Sequence, residues 1–245
     1  MAKAPRVGHA KTRLAVAIGE ERTAEFWAAC LGDSGANLRQ AAVNGQLTPL
    51  VMLPNKDDVV PVHQIIGPHW IPIVQGRPGL SAALSEVFLA AFDRGVNRAL
   101  AVAGDSPSLP PEQILAALNR LATTGSSAVI GPSSDGGYHL VGLRWRAAPH
   151  WWPDRIRDRS RARFARRLQV AFDDISLGSG SALEATQTTL SAAGWRVERT
   201  ASWADVDTLE DLQALARELE GDGRRAPRTA AWIKRNRSVI NAGGL

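Results

Sequence analysis

The sequence predicts an α/β fold with a mostly parallel sheet, and three features carry that expectation. Short apolar runs alternate with helical stretches, the helical stretches repeat their apolar residues on one face, and acids follow the apolar runs at the places where ligands meet such sheets. Leu14, Ala15, Ala17 and Ile18 mark an apolar helix near the start. In "GLSAALSEVFLAAFDRG" (79–95), Leu84, Val87, Phe88 and Phe92 fall on one helical face. "RALAVAG" (98–104) reads as a buried strand. Ser108, Pro110, Pro111 and Glu112 then form a helix start, and Ile114, Leu115, Leu118 and Leu121 carry the helical period to about Gly125. "SAVIGP" (127–132) and "HLVGLR" (139–144) are the next strands, and "WRVERT" (195–200) alternates like a half-buried one. Thr208 opens a helix over 208–220, with Asp211 as its capping-box partner. "WWPDRIRDRSRARFARRLQVAF" (151–172) breaks the alternation and reads as a helical insertion, with Ile156, Phe164 and Leu168 turned inward. The organisation expected is one domain over 1–220, containing an Arg-rich insertion at 145–172, and a basic tail over 221–245. That tail has no strong period and is expected to be partly disordered.

The chain has 245 residues, 44% of them hydrophobic and 22% charged, which suits a globular protein with a sizeable core. No apolar run approaches the ~20 residues that span a bilayer. The basic start lacks the apolar stretch of a secretory signal. Cys30 is the only cysteine, which excludes an internal disulfide and a Cys-based zinc site. A cytoplasmic location is expected. The net charge of +5 is unevenly placed: nine Arg against Asp154 and Asp158 between residues 144 and 167 give +7, leaving −2 for the rest.

Asp105 directly follows the strand 98–104, and Asp205 and Asp207 stand just before the helix of Thr208. Residues two apart in an extended segment face the same side, so these two carboxylates can point together while Val206 turns to the core. Taken singly, each acid reads as a turn or cap residue. Taken together, three carboxylates at strand ends call for a cation, and hard oxygen ligands suit Mg²⁺ or Mn²⁺ bridging a nucleotide's phosphates. In "RVGHAKTRLA", Gly8, Lys11 and Arg13 precede the first helix. A Gly-containing loop entering a helix can cradle phosphate, Lys as a point charge and Arg as a fork. The Walker A spacing is absent. A solvated basic face is the alternative. In "GPSSDGGYHLVGLR" (131–144), Asp135 followed by Gly136 and Gly137 reads either as a substrate-facing acid beside bare backbone or as a hairpin turn with glycines at positive φ.

In this order, "PRVGHAKTRLA", "AGDSPSLP", "GPSSDGGYHLVGL" and "DVDTLEDL" resemble a bacterial glycosyltransferase-like family of GT-A fold, labelled a domain of unknown function or an arsenosugar-biosynthesis-type glycosyltransferase. The likeness spans residues 1 to about 216. More distantly the chain is similar to 2-phospholactate guanylyltransferases, which share "AKTRLA", a G-D-x-P stretch and the D-V-D-T-x-x-D-L pattern and lack the D-G-G-Y stretch. The resemblance implies a GT-A, Rossmann-like three-layer sandwich and a nucleotide-activated donor. It implies donor-phosphate binding by Gly8, Lys11, Arg13 and Gln75, and metal binding by Asp105, Asp205 and Asp207. Asp135 and Asp105 would be the catalytic acids, and Gly136, Gly137 and Tyr138 would line the acceptor side. The chain departs from the family in three places, of which the Arg-rich insertion is the least telling. The family has a full apolar strand where Met1 begins this chain, so a shortened first strand or a late start is expected. Arg77 and Pro78 stand where the family has an acidic run after the Gln.

Three functions follow. The first is glycosyl transfer from a sugar nucleotide to a small acceptor. The second is nucleotidyl transfer, joining an NTP to a phosphorylated small substrate with release of pyrophosphate. The third is non-enzymatic binding of nucleic acid or an anionic surface by the Arg-rich segment with Trp145, Trp151 and Trp152. The third would leave the strand-end acids unused, so nucleic acid is not the expected partner.

Overall fold

The structure, a computed structural model, describes residues 1–123, 127–146, 149, 151–173 and 182–242. In chain order its elements are α1 (Thr12–Ile18), α2 (Glu20–Gly45), β1 (Leu50–Leu53), α3 (Val59–Ile66), β2 (Ile71–Val74), α4 (Leu80–Asp93), β3 (Arg98–Val102) and α5 (Pro111–Thr123). There follow β4 (Ala128–Pro132), β5 (Tyr138–Arg144), α6 (Asp154–Phe172), α7 (Ala182–Ala192), β6 (Val197–Arg199), α8 (Leu209–Gly221), α9 (Pro227–Arg235) and α10 (Arg237–Ala242). The expected helix end near Gly125, positions 147, 148 and 150 of the insertion and positions 243–245 of the tail lie outside the described residues. Among the described residues no helix is long and apolar enough to cross a membrane.

The chain forms two compact units, one of residues 1–72, 103–114 and 204–245, the other of 73–102 and 115–203. In the first unit α2 is the central element. Its inner face buries Phe26, Trp27, Cys30 and Leu31 in a cluster with Val51 and Leu53 of β1, Leu212 of α8 and Trp232 of α9. Gly35 lets α3 approach closely, since a Cβ there would lie 2.7 Å from Ile66 Cγ2. The residues before Val7 form no strand, although Ala2 N donates to Met52 O at 3.0 Å and Trp27 Nε1 donates to Lys3 O at 3.0 Å.

The C-terminal stretch differs from the disorder expected of it. It forms α9 and α10, and Trp232, Ile233 and Ile240 are buried. The reason is in α2. Asp33 is buried, and its carboxylate accepts hydrogen bonds from Arg228 N at 3.2 Å and Thr229 N at 2.8 Å. Those are the open N–H groups of the first turn of α9, for which Ala226 at the cap position offers no side-chain acceptor. Trp232 also packs on Phe26 at 5.2 Å between ring centroids and donates to Glu25 Oε2. Burial pushes the Asp33 carboxyl up, and the backbone donors of α9 oppose that rise. Asp33→Ala would leave a buried donor at Thr229 without an acceptor. A loss of about 2–3 kcal/mol is expected, read as a lower urea midpoint at unchanged m-value.

The second unit holds a four-stranded sheet in the order β3-β5-β4-β6. β4 and β6 run parallel, in register from Ala128↔Val197 to Ile130↔Arg199. β5 runs against both neighbours, from Arg98↔Arg144 on β3 and Ala128↔Leu143 on β4, because it returns from β4 through a tight turn. The parallel pairing is therefore interrupted by one reversed strand within the α/β arrangement. Helices α4 and α6 meet through stacked rings, Phe88 on Phe172 and Phe92 on Phe164, with Trp145 against Phe164. Phe164 and Leu168 turn inward as the period predicts. Ile156 does not: it is 37% exposed, because the first turn of α6 is exposed on all sides.

Candidate functional site

The residues singled out near the start, at 105 and at 207 all belong to the first unit, and the structure brings them together. Lys11 precedes α1 as its cap residue, with a left-handed backbone (φ 53°, ψ 48°) that a lysine adopts only under constraint. It caps nothing with its side chain. The ammonium instead donates to Asp105 Oδ2 at 2.7 Å and to Asp207 Oδ1 at 2.5 Å. Its charge lies 5.6 Å from the centre of the Trp27 ring, and its side chain is 8% exposed. Arg13 donates to the other Asp207 oxygen at 2.6 Å but is 64% exposed, so solvent screens that pair far more. Gly8 is exposed, with φ +77°, in the turn before α1. At seven residues α1 is too short to supply much dipole, so the positive charge at this end is that of the Lys11 and Arg13 side chains.

Each carboxylate is placed by backbone chemistry. Asp207 stands one residue before Thr208, the cap of α8. Thr208 Oγ1 accepts from Asp211 N, while Asp211 Oδ2 accepts from the backbone N–H groups of Thr208 and Asp207. That capping box, legible in the sequence, fixes the Asp207 backbone. Val206 is buried as expected, and Asp205 is half-buried. Asp105 sits on a segment fastened by Asn37 of α2, whose Nδ2 donates to Pro107 O at 2.8 Å. Asn37 and Trp27 are site-building residues that no motif in the sequence reveals.

The expected gathering of Asp105, Asp205 and Asp207 as a metal cluster is not what the side chains form. Among the described residues no group of three His, Cys, Asp or Glu side chains could hold a metal ion. The cation between Asp105 and Asp207 is the Lys11 ammonium, which answers the same repulsion that motivated the metal. One oxygen of the donor set is uncommitted. Asp105 Oδ1 is buried and has no hydrogen-bond partner among the described residues. A single carboxylate oxygen with substrate phosphates is a common way to hold Mg²⁺.

The charges tune one another. Burial alone would lower the Lys11 ammonium, but the two carboxylates outweigh it and hold it above the ordinary lysine value. Burial would raise Asp207, yet Lys11 and Arg13 hold it below the usual carboxylate range. A depressed carboxylate contributes stability that is present above its unfolded value, near pH 4, and is lost as pH falls through the folded one. A raised ammonium contributes stability that is complete below its unfolded value, near pH 10, and fades as pH climbs past that. Acid titration of the thermal midpoint should therefore show a loss below about pH 4 that Asp207→Asn removes.

The D-G-G-Y stretch lies in the second unit, as the turn between β4 and β5. Asp135 Oδ1 accepts from Ser133 Oγ at 2.5 Å and from Gly137 N at 2.8 Å. Gly136 has φ +83°, and a Cβ on Gly137 would lie 2.9 Å from the Asp135 carboxylate. Gly136 thus has the positive φ that the hairpin reading expects, whereas Gly137 does not and serves the turn by leaving room for the Asp135 carboxylate. Asp135 itself is exposed, and only one of its oxygens is used by the turn. Tyr138 is half-buried, and burial pushes its hydroxyl up to about 12. Gln75 is half-buried in the loop after β2, where the adjoining Gly76 N and Arg77 are held by Glu86.

The bacterial family described as "Uncharacterized protein conserved in bacteria (DUF2064)" matches residues 37–160. Among solved structures the chain is similar to a protein of Desulfovibrio desulfuricans G20 provisionally named a nucleotide-diphospho-sugar transferase. The two are 25% identical with a TM-score of 0.80, over 99% of this chain and 95% of that one. It is also similar to 4-diphosphocytidyl-2C-methyl-D-erythritol synthase of Anaerococcus prevotii DSM 20548, at 14% identity and TM-score 0.51, over 78% of this chain and 86% of that one, a likeness of fold. No curated protein matches. The GT-A-like α/β class expected from the sequence is the class these structures share with the chain.

Proposed function

This chain belongs to the bacterial family described as "Uncharacterized protein conserved in bacteria (DUF2064)", and we propose that it is a transferase using a nucleotide-activated donor, acting from a sugar nucleotide on a small acceptor. The observation that carries this reading is the Lys11 ammonium held between Asp105 and Asp207, with Arg13 on the far oxygen of Asp207. The set holds two cations and two anions in one place. A donor diphosphate together with a divalent cation can exchange partners with all four: Lys11 and Arg13 turn to phosphate oxygens, and the aspartates are released. The name carried by the Desulfovibrio protein agrees with such a donor.

In this reading Asp105 would hold Mg²⁺ or Mn²⁺ through its unpartnered Oδ1, with Asp207 and Asp205 as the neighbouring acids. Such an ion supplies neutralisation of the departing diphosphate when bound. The acceptor oxygen bonds to the anomeric carbon, the bond from that carbon to the diphosphate oxygen breaks, and the nucleoside diphosphate leaves with the electron pair. The acceptor proton passes to Asp135, through the carboxylate oxygen that its turn does not use. Gly8 and Gln75 belong to the donor side, and Gly136, Gly137 and Tyr138 to the acceptor side.

The same four charged side chains suit a second reaction, attack of a small phosphorylated substrate on the α-phosphate of an NTP. The products separate the two. A thermal-shift screen of nucleotides and sugar nucleotides, with and without Mg²⁺ or Mn²⁺, should find a cation-dependent stabilising donor. Turnover of that donor should release nucleoside diphosphate. Pyrophosphate release would establish the second reaction instead, and no stabilisation by any nucleotide would overturn both.

A further inference from the structure

The proposed reaction assigns no role to the Arg-rich helix. Phe164, Leu168, Ala171 and Phe172 pack one side of α6 into the second unit. Arg155, Arg159, Arg163 and Arg166 recur at i, i+4, i+8 and i+11, which sets them in one stripe on the opposite side. All four are exposed, and among the described residues none has an acidic partner. The other arginines of the helix are engaged. Arg161 grips Asp93 through two bonds of 2.7 and 2.9 Å, Arg157 pairs with Asp154, and Arg167 lies 3.9 Å over the Trp195 ring. Just before the helix, Trp151 and Trp152 are 73% and 38% exposed, with their rings edge to face.

We propose that the outward face of α6, with Trp151 and Trp152, docks this protein on an anionic phospholipid surface. The charge is local: +7 over residues 144–167 against −2 for the rest of the chain, so attraction to such a surface also orients the molecule on it. Arginines in a stripe meet lipid phosphates and serine carboxylates, and indole rings lodge at the headgroup level. Nucleic acid would satisfy the arginines equally. It offers nothing to Ile156 and Val170, which share the outward face and are 37% and 53% exposed, whereas the upper acyl region accepts both. The inner face of α6 is committed to protein, so the helix lies on the surface and does not sink into it.

The full chain is mixed with vesicles of phosphatidylcholine alone or with added phosphatidylserine, sedimented, and followed by tryptophan fluorescence. Binding should require phosphatidylserine, weaken steeply with salt, and shift the emission to the blue. R159Q/R163Q should weaken it about 25-fold, from about fivefold per arginine. R155Q/R166Q should do the same, so that one misfolded variant does not decide the matter. W151A/W152A should abolish the blue shift. Equal binding to both vesicle types, binding to neither, or variants that bind like the parent would overturn the proposal. Tighter binding of single-stranded nucleic acid than of phosphatidylserine vesicles at the same salt would overturn it in favour of nucleic acid.

Discussion

Asp105→Ala is expected to abolish cation-dependent nucleotide binding while leaving the chain folded. In the parent, a donor at a hundredfold its dissociation constant should stabilise the protein by about 2.7 kcal/mol, and chelating the divalent ion should remove most of that. The variant loses a buried carboxylate oxygen that has no partner among the described residues, so the shift with and without the ion should become equal. Lys11 remains paired to Asp207, which keeps the local charge balanced and the fold intact. Lys11→Met acts in the opposite sense. It leaves Asp105 and Asp207 facing each other with no ammonium between them. The ligand-free protein should then melt earlier, and Mg²⁺ alone should restore part of the loss. A Lys11→Met protein indifferent to Mg²⁺, or an Asp105→Ala protein still shifted by ion and nucleotide together, would remove the site from consideration.

Asp135→Asn is the second large effect. The amide oxygen of Asn can still accept from Ser133 Oγ and Gly137 N, so the β4–β5 turn should survive with its thermal midpoint nearly unchanged. What disappears is the basic oxygen that the turn leaves unused. Losses from removing a general base are about 10²–10⁴-fold, and the effect should fall on kcat with little change in donor affinity. Equal damage to midpoint, donor affinity and kcat would assign Asp135 to the hairpin alone.

How much of this was legible depended on whether a residue's role was local. The helix of Thr208 was, because both halves of its capping box lie three residues apart. The β4 and β5 strands were, because their apolar runs are bounded by turn chemistry that does make a turn. The segment Gly32-Asp33-Ser34-Gly35 has the same turn composition, yet it lies inside α2. Its departures from helix propensity are explained by partners far along the chain: Asp33 by the open N–H groups of α9, and Gly35 by Ile66 of α3. The helices at the C-terminus were hidden for the reciprocal reason, since the acceptor that starts α9 is 196 positions away from Thr229. At the site, the residues singled out in the sequence include the four charges that the structure brings together. It could not show that the cation between two aspartates would be a lysine, because an ammonium and a divalent ion answer the same electrostatic demand.

The interleaving of the two units sets an order on biosynthesis. The second unit is complete in sequence at residue 203, whereas the first still awaits residues 204–245, which bring Asp207, α8 and α9. On a ribosome that releases the chain from its N-terminus, Lys11 emerges 196 residues ahead of its partner Asp207. Until then α2 carries Asp33 with nothing to bond and an apolar face with nothing to cover it. Of the two units, the one that begins first is thus the one that matures last, and a nascent chain that has emerged as far as residue 203 would hold a complete second unit while the first is still open to chaperones and proteases.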